Sequence, residues 1–137
     1  MTRKILCPTD GTDHSNQAVI QAAELAAKFG AALTLCVVNV AHGGARGPII
    51  KHWEDDAVAK ILDDATALAA SHGVADVHRV DIVSREAAAG IVGYAEENGY
   101  DHIVMGTGDK RGVSRLVLGS VAADVSGRAH CTVTVAR

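Results

Sequence analysis

Short runs of apolar residues alternate along the chain with longer segments in which apolar residues recur every three or four positions. The short runs predict strands, and the recurring pattern predicts helices that bury one stripe of their surface. The predicted strands cover residues 4–9, 31–40, 77–83, 101–106 and 131–136. Four helices are predicted between them. The first has its N-cap at Thr12, Asp13 or Ser15 and runs to Phe29, and the second covers about residues 51–72. The third is capped by Ser84 and ended by Asn98, and the fourth covers about residues 119–127.

This strict alternation predicts an α/β fold in which helices cover both faces of a parallel sheet. The second strand is apolar without interruption, as in a strand buried on both sides. The third strand is more polar and alternating, which is typical of a sheet edge. We therefore expect a single doubly wound five-stranded parallel sheet with the strand order 3-2-1-4-5. Residues 41–50 contain three glycines and a proline, and we expect a mobile loop there.

Composition limits the classes of function. The 137 residues fit one domain, residues 1–137, and 48% of them are hydrophobic but only 3% aromatic, so we expect a core of Ala, Val, Ile and Leu. The formal net charge of −3 argues against a nucleic acid partner. The first residues resemble no signal peptide and no membrane-spanning segment follows, so we expect a cytoplasmic protein without membrane insertion. Cys7, Cys36 and Cys131 lack the paired spacing of a metal site and are interpreted as reduced thiols.

Two loops carry the candidate chemistry. In the predicted order, the carboxyl ends of strands one and four meet where the connections reverse direction, and open α/β sheets bind ligands at that point. The first loop contains Pro8, Thr9 and Asp10. The second is rich in glycines and cations and leads to a predicted helix start; it contains Gly106, Gly108, Lys110, Arg111, Gly112 and Arg115. Glycines and unpaired helix N–H groups favour a bound phosphate, so we expect a nucleotide crevice between these loops.

These two segments resemble those of the universal stress protein family, and the resemblance covers nearly the whole chain. It is carried by I-L-C-P-T-D-G-T-D-H-S-N-Q-A near the start and by M-G-T-G-D-K-R-G-V-S-R-L-V-L-G-S-V-A near the end. The ATP-binding branch has the signature G-x-x-G, nine residues, then G-S or G-T. Gly106 and the pair Gly119-Ser120 match this signature at the expected separation. The second glycine position is occupied by Asp109, and a glycine lies one place earlier, at Gly108.

The resemblance implies an adenine nucleotide alpha hydrolase-like fold, a homodimer, and ATP or another adenine nucleotide as the cofactor. It implies that Asp10, Val38 and Met105 hold the adenine, and that Pro8, Thr9 and Gly106 flank the ribose. Gly119, Ser120 and Val121 would then donate hydrogen bonds to the phosphates. Gly108 completes this set, and the further candidates from the same loop are Lys110, Arg111 and Gly112.

Asp109 leaves two readings of the phosphate end open. A carboxylate close to a phosphate is unfavourable unless a cation lies between them. Either Asp109 binds a Mg²⁺ ion that accompanies the nucleotide, or it caps a turn and the crevice holds nucleotide weakly or not at all. No other metal ligand is expected.

Two functions follow from these readings. The first is a regulatory stress protein that binds ATP, ADP or AMP in the crevice between strands one and four. The second is a dimeric stress or interaction module of the same fold that does not bind nucleotide. No catalytic residue is assigned, and we expect at most slow ATP hydrolysis. His14, the histidine near the first loop, is interpreted as a solvent-facing residue at a helix start.

The last predicted strand, from Cys131 to Ala136, provides a separate argument for dimerisation. It is rich in β-branched residues and contains neither lysine nor proline, the residues that commonly protect an open sheet edge. We expect a homodimer through this strand and a protein partner that the sequence does not identify.

Overall fold

The structure is a computed structural model that describes residues 1–108 and 118–137. The described chain forms six strands: β1 (Lys4–Pro8), β2 (Ala32–Gly43), β3 (Ile49–Lys51), β4 (Val77–Ser84), β5 (His102–Gly106) and β6 (Thr132–Ala136). Four helices lie between them: α1 (Asp13–Phe29), α2 (Asp55–Ser71), α3 (Ala87–Glu97) and α4 (Ser120–Arg128).

Five of the strands form a parallel sheet in the order β4-β2-β1-β5-β6. This is the predicted order 3-2-1-4-5, and it confirms the doubly wound α/β fold. The central strand β1 pairs with β2 on one side, where Lys4 lies opposite Ala32, and with β5 on the other, where Ile5 lies opposite His102. The connections therefore reverse direction between β1 and β5, so that the ends of these two strands border a crevice.

The sheet is mixed rather than all-parallel, so the prediction of five parallel strands was incomplete. β3 pairs antiparallel with the end of β2, where Gly43 lies opposite Ile49, and the predicted loop at 41–50 is largely a hairpin. Gly43 and Gly44 have φ angles of +84° and +98°, which only glycine adopts readily, and they reverse the chain. Because Lys51 belongs to β3, the second helix begins at Asp55 rather than at residue 51.

The core has two layers, one on each face of the sheet. The first layer lies beneath α1 and α2, and small residues such as Ala18, Ala22 and Ala26 let α1 approach the strands closely. The second layer lies beneath α3 and α4 and is centred on Leu6 and Ile91. Within the described residues, no helix is both long and apolar enough to cross a bilayer.

Ser84 does not cap the third helix as predicted. The N-cap of α3 is Glu86, and the Ser84 hydroxyl instead accepts a hydrogen bond from the Glu86 N–H at 3.3 Å, within the turn that precedes the helix. The first helix begins as expected, with Thr12 as N-cap, and ends at Gly30 in the left-handed conformation.

Candidate functional site

A cleft of about 370 Å³ opens at the carboxyl ends of β1 and β5, at the point where the sheet connections reverse. All ten residues that the sequence placed together as candidates line it: Pro8, Thr9, Asp10, Val38, Met105, Gly106, Gly108, Gly119, Ser120 and Val121. Two segments separated by about a hundred residues in the chain therefore meet in one cleft.

The turn between β1 and α1 is held by a network of side-chain hydrogen bonds. The buried hydroxyl of Ser15 lies at its centre: it accepts from the Thr9 hydroxyl at 3.1 Å and donates to the Thr12 carbonyl at 3.0 Å. The Thr12 hydroxyl donates to Oδ1 of Asp10 at 2.6 Å, and the Thr12 N–H donates to the same oxygen at 3.1 Å. The turn is thereby fixed with the Asp10 carboxylate at the cleft.

These hydrogen bonds also determine the charge state of Asp10. Partial burial by itself raises the pKa of the Asp10 carboxyl, but the hydrogen bonds from Thr12 and Ser15 lower it by more, and the net pKa lies below the usual value of 3.8. Asp10 is therefore a carboxylate at neutral pH, and it is suited to accept hydrogen bonds from an amino or hydroxyl group of a ligand.

The turn after β5 is held by close backbone contacts that only glycine allows. A Cβ atom on Gly106 would lie 2.5 Å from the carbonyl oxygen of His14, and one on Gly119 would lie 2.3 Å from the carbonyl oxygen of Thr107. The Gly119 N–H donates to that same Thr107 carbonyl at 2.7 Å. Gly108 has a φ of +89°, in the left-handed region. The backbone passes so close to its neighbours that no side chain fits at Gly106 or Gly119.

The same turn brings a helix start to the cleft. Gly119 is the N-cap of α4 and has no side chain to cap the helix, and the first bond within the helix runs from the Ala123 N–H to the Gly119 carbonyl. The N–H groups of Ser120, Val121 and Ala122 precede that bond and lie at the cleft wall. Free N–H groups and the positive end of a helix dipole favour an anion at this position.

Part of the cleft lining is apolar. It is formed by Val37 and Val38 from β2, Met105 from β5, and Ala87 and Ile91 from α3. An apolar lining together with a carboxylate is suited to a heteroaromatic ring with an exocyclic amino group.

The sequence did not identify eight of the described residues that line the cleft: Thr12, His14, Ser15, Val37, Ala87, Ile91, Thr107 and Ala122. His14 was expected to face solvent, but it is half-buried and lines the cleft. The sequence did contain a signal for the two residues from α3, Ala87 and Ile91. A helix that covers the point where the sheet connections reverse has its first inward-facing residues near the crevice.

The candidates Asp109, Lys110, Arg111 and Gly112, together with Arg115, lie outside the described residues. Within residues 1–108 and 118–137, no group of three or more His, Cys, Asp and Glu side chains is arranged to hold a metal ion.

The fold is that of a doubly wound α/β protein with a cleft where the sheet connections reverse, and the comparison with known families identifies the family to which it belongs. Residues 1–137 match the Universal stress protein family, so the chain belongs to that family. A universal stress protein of Methanocaldococcus jannaschii is 34% identical over 145 aligned positions, which cover 98% of this chain and 82% of the relative.

Solved structures agree with this assignment at the level of the fold. A universal stress protein crystallised in complex with cAMP has a TM-score of 0.78 and 24% identity, covering 99% of this chain and 97% of its own. A universal stress protein of Archaeoglobus fulgidus in complex with dAMP has a TM-score of 0.73 and 23% identity, covering 100% of this chain and 98% of its own.

Proposed function

We propose that this universal stress protein is a regulatory protein that binds an adenine nucleotide, ATP, ADP or AMP, in the cleft between β1 and β5. The observation that carries the proposal is the meeting of two chain segments at one cleft, one supplying the Asp10 carboxylate and the other the start of α4. A carboxylate beside an apolar slot recognises an aminopurine, and a helix start recognises its anionic tail.

The electrostatics of the cleft support an anionic ligand. Three helices begin at its wall: α1 contributes His14, α3 contributes Ala87, and α4 contributes Ser120. Each helix start carries a partial positive charge, and together they favour a negatively charged group more strongly than one helix would. Asp10 lies at the start of α1 as a carboxylate, so we assign the base to the region of α1 and the phosphate to the start of α4.

Two relatives with the same fold add support. Their structures were determined with cAMP and with dAMP, both of which carry an adenine ring and a single phosphate. The proposal extends this class of ligand to the present chain, at Asp10, Val38 and Met105 for the base, Pro8, Thr9 and Gly106 for the ribose, and Gly108, Gly119, Ser120 and Val121 for the phosphates.

Isothermal titration calorimetry tests the proposal with adenosine, AMP, ATP and GTP, each with and without Mg²⁺. We expect AMP and ATP to bind more tightly than adenosine, because only the nucleotides have a phosphate for α4, and the affinity of GTP relative to ATP measures how far the cleft distinguishes the two purines. If neither AMP nor ATP gives heat or a thermal shift under either condition, the cleft is not a nucleotide site and the chain acts as an interaction module. Binding of ATP only with Mg²⁺ would support a metal contribution from Asp109.

We further propose that the chain forms a homodimer through β6. Within the described chain, β5 is the one strand that pairs with β6, so the other edge of β6 is open. The middle residues of β6, Val133, Thr134 and Val135, are partly exposed. An uncharged β-branched edge is suited to pair with the same edge of a second copy.

Sedimentation velocity tests the dimer. Val133→Pro removes a backbone donor from the edge and should give monomers, whereas Val133→Thr keeps the strand propensity and should leave the dimer intact. Circular dichroism checks that the proline variant is folded. A folded Val133→Pro variant with the mass of a dimer would contradict the proposed interface.

A further inference from the structure

The hairpin formed by β2 and β3 presents two large apolar side chains outside the core. Ile49 and Ile50 are 63% and 65% exposed. Successive side chains of a strand point to opposite faces, so both faces of the hairpin carry an uncovered isoleucine. Adjacent exposed isoleucines add nothing to the core, and they are typical of a surface that another molecule covers.

The same segment concentrates positive charge on a chain whose formal net charge is −3. Residues 41–52 contain Arg46 and Lys51 but no aspartate or glutamate. Lys51 forms an ion pair with Asp55 at 3.3 Å, whereas Arg46 lies at the exposed tip of the hairpin. The hairpin therefore combines apolar side chains with a cation that is available to a partner.

A second cation is fixed beside the isoleucines by the fold itself. The Arg85 guanidinium donates to the carbonyl of Gly43 at 2.7 Å, which holds it against the hairpin. A Cβ built on Gly44 would lie 2.9 Å from Ile49 Cγ1 and 3.6 Å from Arg85 Nη2, so the guanidinium and Ile49 lie side by side. This pairing of an ordered cation with an exposed apolar side chain is complementary to a ligand that carries an acidic group and an apolar group a short distance apart.

The backbone of the hairpin adds a third feature. Within the described residues, β3 pairs with β2 alone, so its outer edge is open. An open edge accepts an extended segment as an additional strand, with backbone hydrogen bonds for affinity and alternate side chains for specificity.

We propose that this hairpin docks an extended segment of a partner protein in which apolar and acidic side chains alternate. Because the side chains of an added strand also alternate between the two faces, the apolar side chains of the segment cover Ile50 on one face. Its acidic side chains lie on the other face, against Ile49 and the Arg85 guanidinium beside it, and toward Arg46 at the tip. The charge of the surface determines the acidic character of the partner, and the open edge of β3 determines its extended conformation.

A flat anionic membrane fits this surface less well. Glu54, Asp55 and Asp56 follow the hairpin directly, and a planar array of lipid phosphates would meet these carboxylates as well as the cations. A narrow peptide segment contacts the hairpin alone and avoids this repulsion.

Fluorescence anisotropy with labelled synthetic peptides tests the proposal. The probe is a strand-forming peptide that alternates valine with glutamate, and its counterpart alternates valine with lysine. We expect saturable binding of the glutamate peptide to the wild-type protein and no binding of the lysine peptide. Binding to vesicles of phosphatidylserine and phosphatidylcholine tests whether a membrane occupies the surface instead. Sedimentation velocity of the protein alone tests whether a second copy of the chain does.

Surface variants locate the binding. The double variant Ile49→Ser, Ile50→Ser should weaken binding of the glutamate peptide about tenfold or more, because apolar side chains at the centre of a contact dominate its affinity. Arg46→Glu should weaken it about fivefold or more through charge repulsion. The matched controls are Phe29→Ser and Lys28→Glu, which remove an exposed apolar side chain and a neighbouring cation at the end of α1 and should leave binding unchanged.

Several outcomes overturn the proposal. Equal binding of both peptides, no binding of the glutamate peptide, or equal weakening by the control variants removes the hairpin as an acidic-segment site. Vesicle binding that the isoleucine variant abolishes would assign the surface to lipid. A dimer that the isoleucine variant converts to monomers would assign it to a second copy.

Discussion

Two turns border the cleft, and they are held by different means. The turn after β1 is held by side chains, through the hydrogen bonds that join Ser15 to Thr9 and Thr12 and that join Thr12 to Asp10. The turn after β5 is held by the absence of side chains, because the backbone at Gly106 lies directly against that of His14.

The difference teaches how each turn responds to mutation. A hydrogen bond contributes about 1 kcal/mol, and another polar side chain can partly replace it. A close contact between two backbones accepts no side chain at all, so every substitution forces one element away from the other. We therefore expect the β1 turn to tolerate conservative changes and the β5 turn to tolerate none.

The largest effect is expected for Gly106→Ala. The new methyl group would meet the His14 carbonyl carbon at 2.8 Å and its oxygen at 2.5 Å, and β5 or α1 must shift to relieve this. The free energy of unfolding should fall by ~3 kcal/mol, as for overpacking of a tight core. Urea denaturation followed by circular dichroism measures this loss.

The control for that variant is Gly93→Ala in α3. Among the described residues, no atom outside the neighbouring backbone of α3 lies within 4 Å of a Cβ at Gly93, and alanine is the better helix former, so the stability should rise by up to about 1 kcal/mol. Equal stability of the two variants would show that the close contact at Gly106 does not constrain the fold.

Gly119→Ala should have a smaller effect on stability and a larger one on binding. Its methyl group would lie 2.3 Å from the Thr107 carbonyl oxygen, but this clash involves the start of α4 rather than the contact between β5 and α1, and we expect a shift of α4 to relieve it at a cost of ~2 kcal/mol. That shift moves the start of α4, and AMP affinity should fall about tenfold or more if α4 binds the phosphate. Calorimetry with AMP and adenosine separates the effects, since adenosine affinity should change little. An unaltered AMP affinity would argue against α4 as the phosphate site.

On the other side of the cleft, Thr12→Ala removes the N-cap of α1 and the hydroxyl that donates to Asp10. We expect a loss of ~1 kcal/mol in the free energy of unfolding, and Thr12→Ser should restore most of it because serine supplies the same hydroxyl. If serine is as damaging as alanine, the threonine methyl group rather than its hydrogen bonds holds the turn.

The smallest effect is expected for Asp10→Asn, and it should depend on pH. The pKa of Asp10 is below 3.8 in the folded protein, so the folded state prefers the carboxylate more than the unfolded state does. This contribution to stability is fully present above about pH 5 and is lost as the pH falls below about 4 through the folded pKa. Wild type should therefore lose stability more steeply than Asp10→Asn in urea titrations at acidic pH. If the stabilities of the wild type and of Asp10→Asn fall in parallel as the pH is lowered, protonation of Asp10 is not coupled to folding.

The sequence predicted the parts of the molecule that burial and glycine determine. Apolar runs, and the more polar alternating pattern at residues 77–83, identified the five parallel strands, and the reversal of connections between β1 and β5 placed the crevice. Gly106 and Gly119 were recognisable because their spacing resembles a family signature. The roles expected for the cleft residues, such as Val38 and Met105 for the base, were carried over from that resemblance.

The remaining features leave weak traces in a sequence. All three residues of β3 are exposed, so the strand has no burial pattern to reveal it. Thr12 and Ser15 looked equally suited to cap α1, and only the fold distinguishes the capping hydroxyl of Thr12 from the buried hydroxyl of Ser15. Ile91 was recognisable as an inward residue of α3, but its distance from the cleft depends on how α3 lies across the sheet.

The cysteines of the central strands have a practical consequence. Cys7 is buried in the layer beneath α1 and Cys36 in the layer beneath α3, so they lie on opposite faces of the sheet although their strands are adjacent. Burial raises the pKa of the Cys7 thiol to about 12 and that of Cys36 well above its usual range, so neither is a thiolate near neutral pH. Alkylating reagents will reach these sulfurs when the sheet opens, and the rate of their modification will record how often the native protein unfolds.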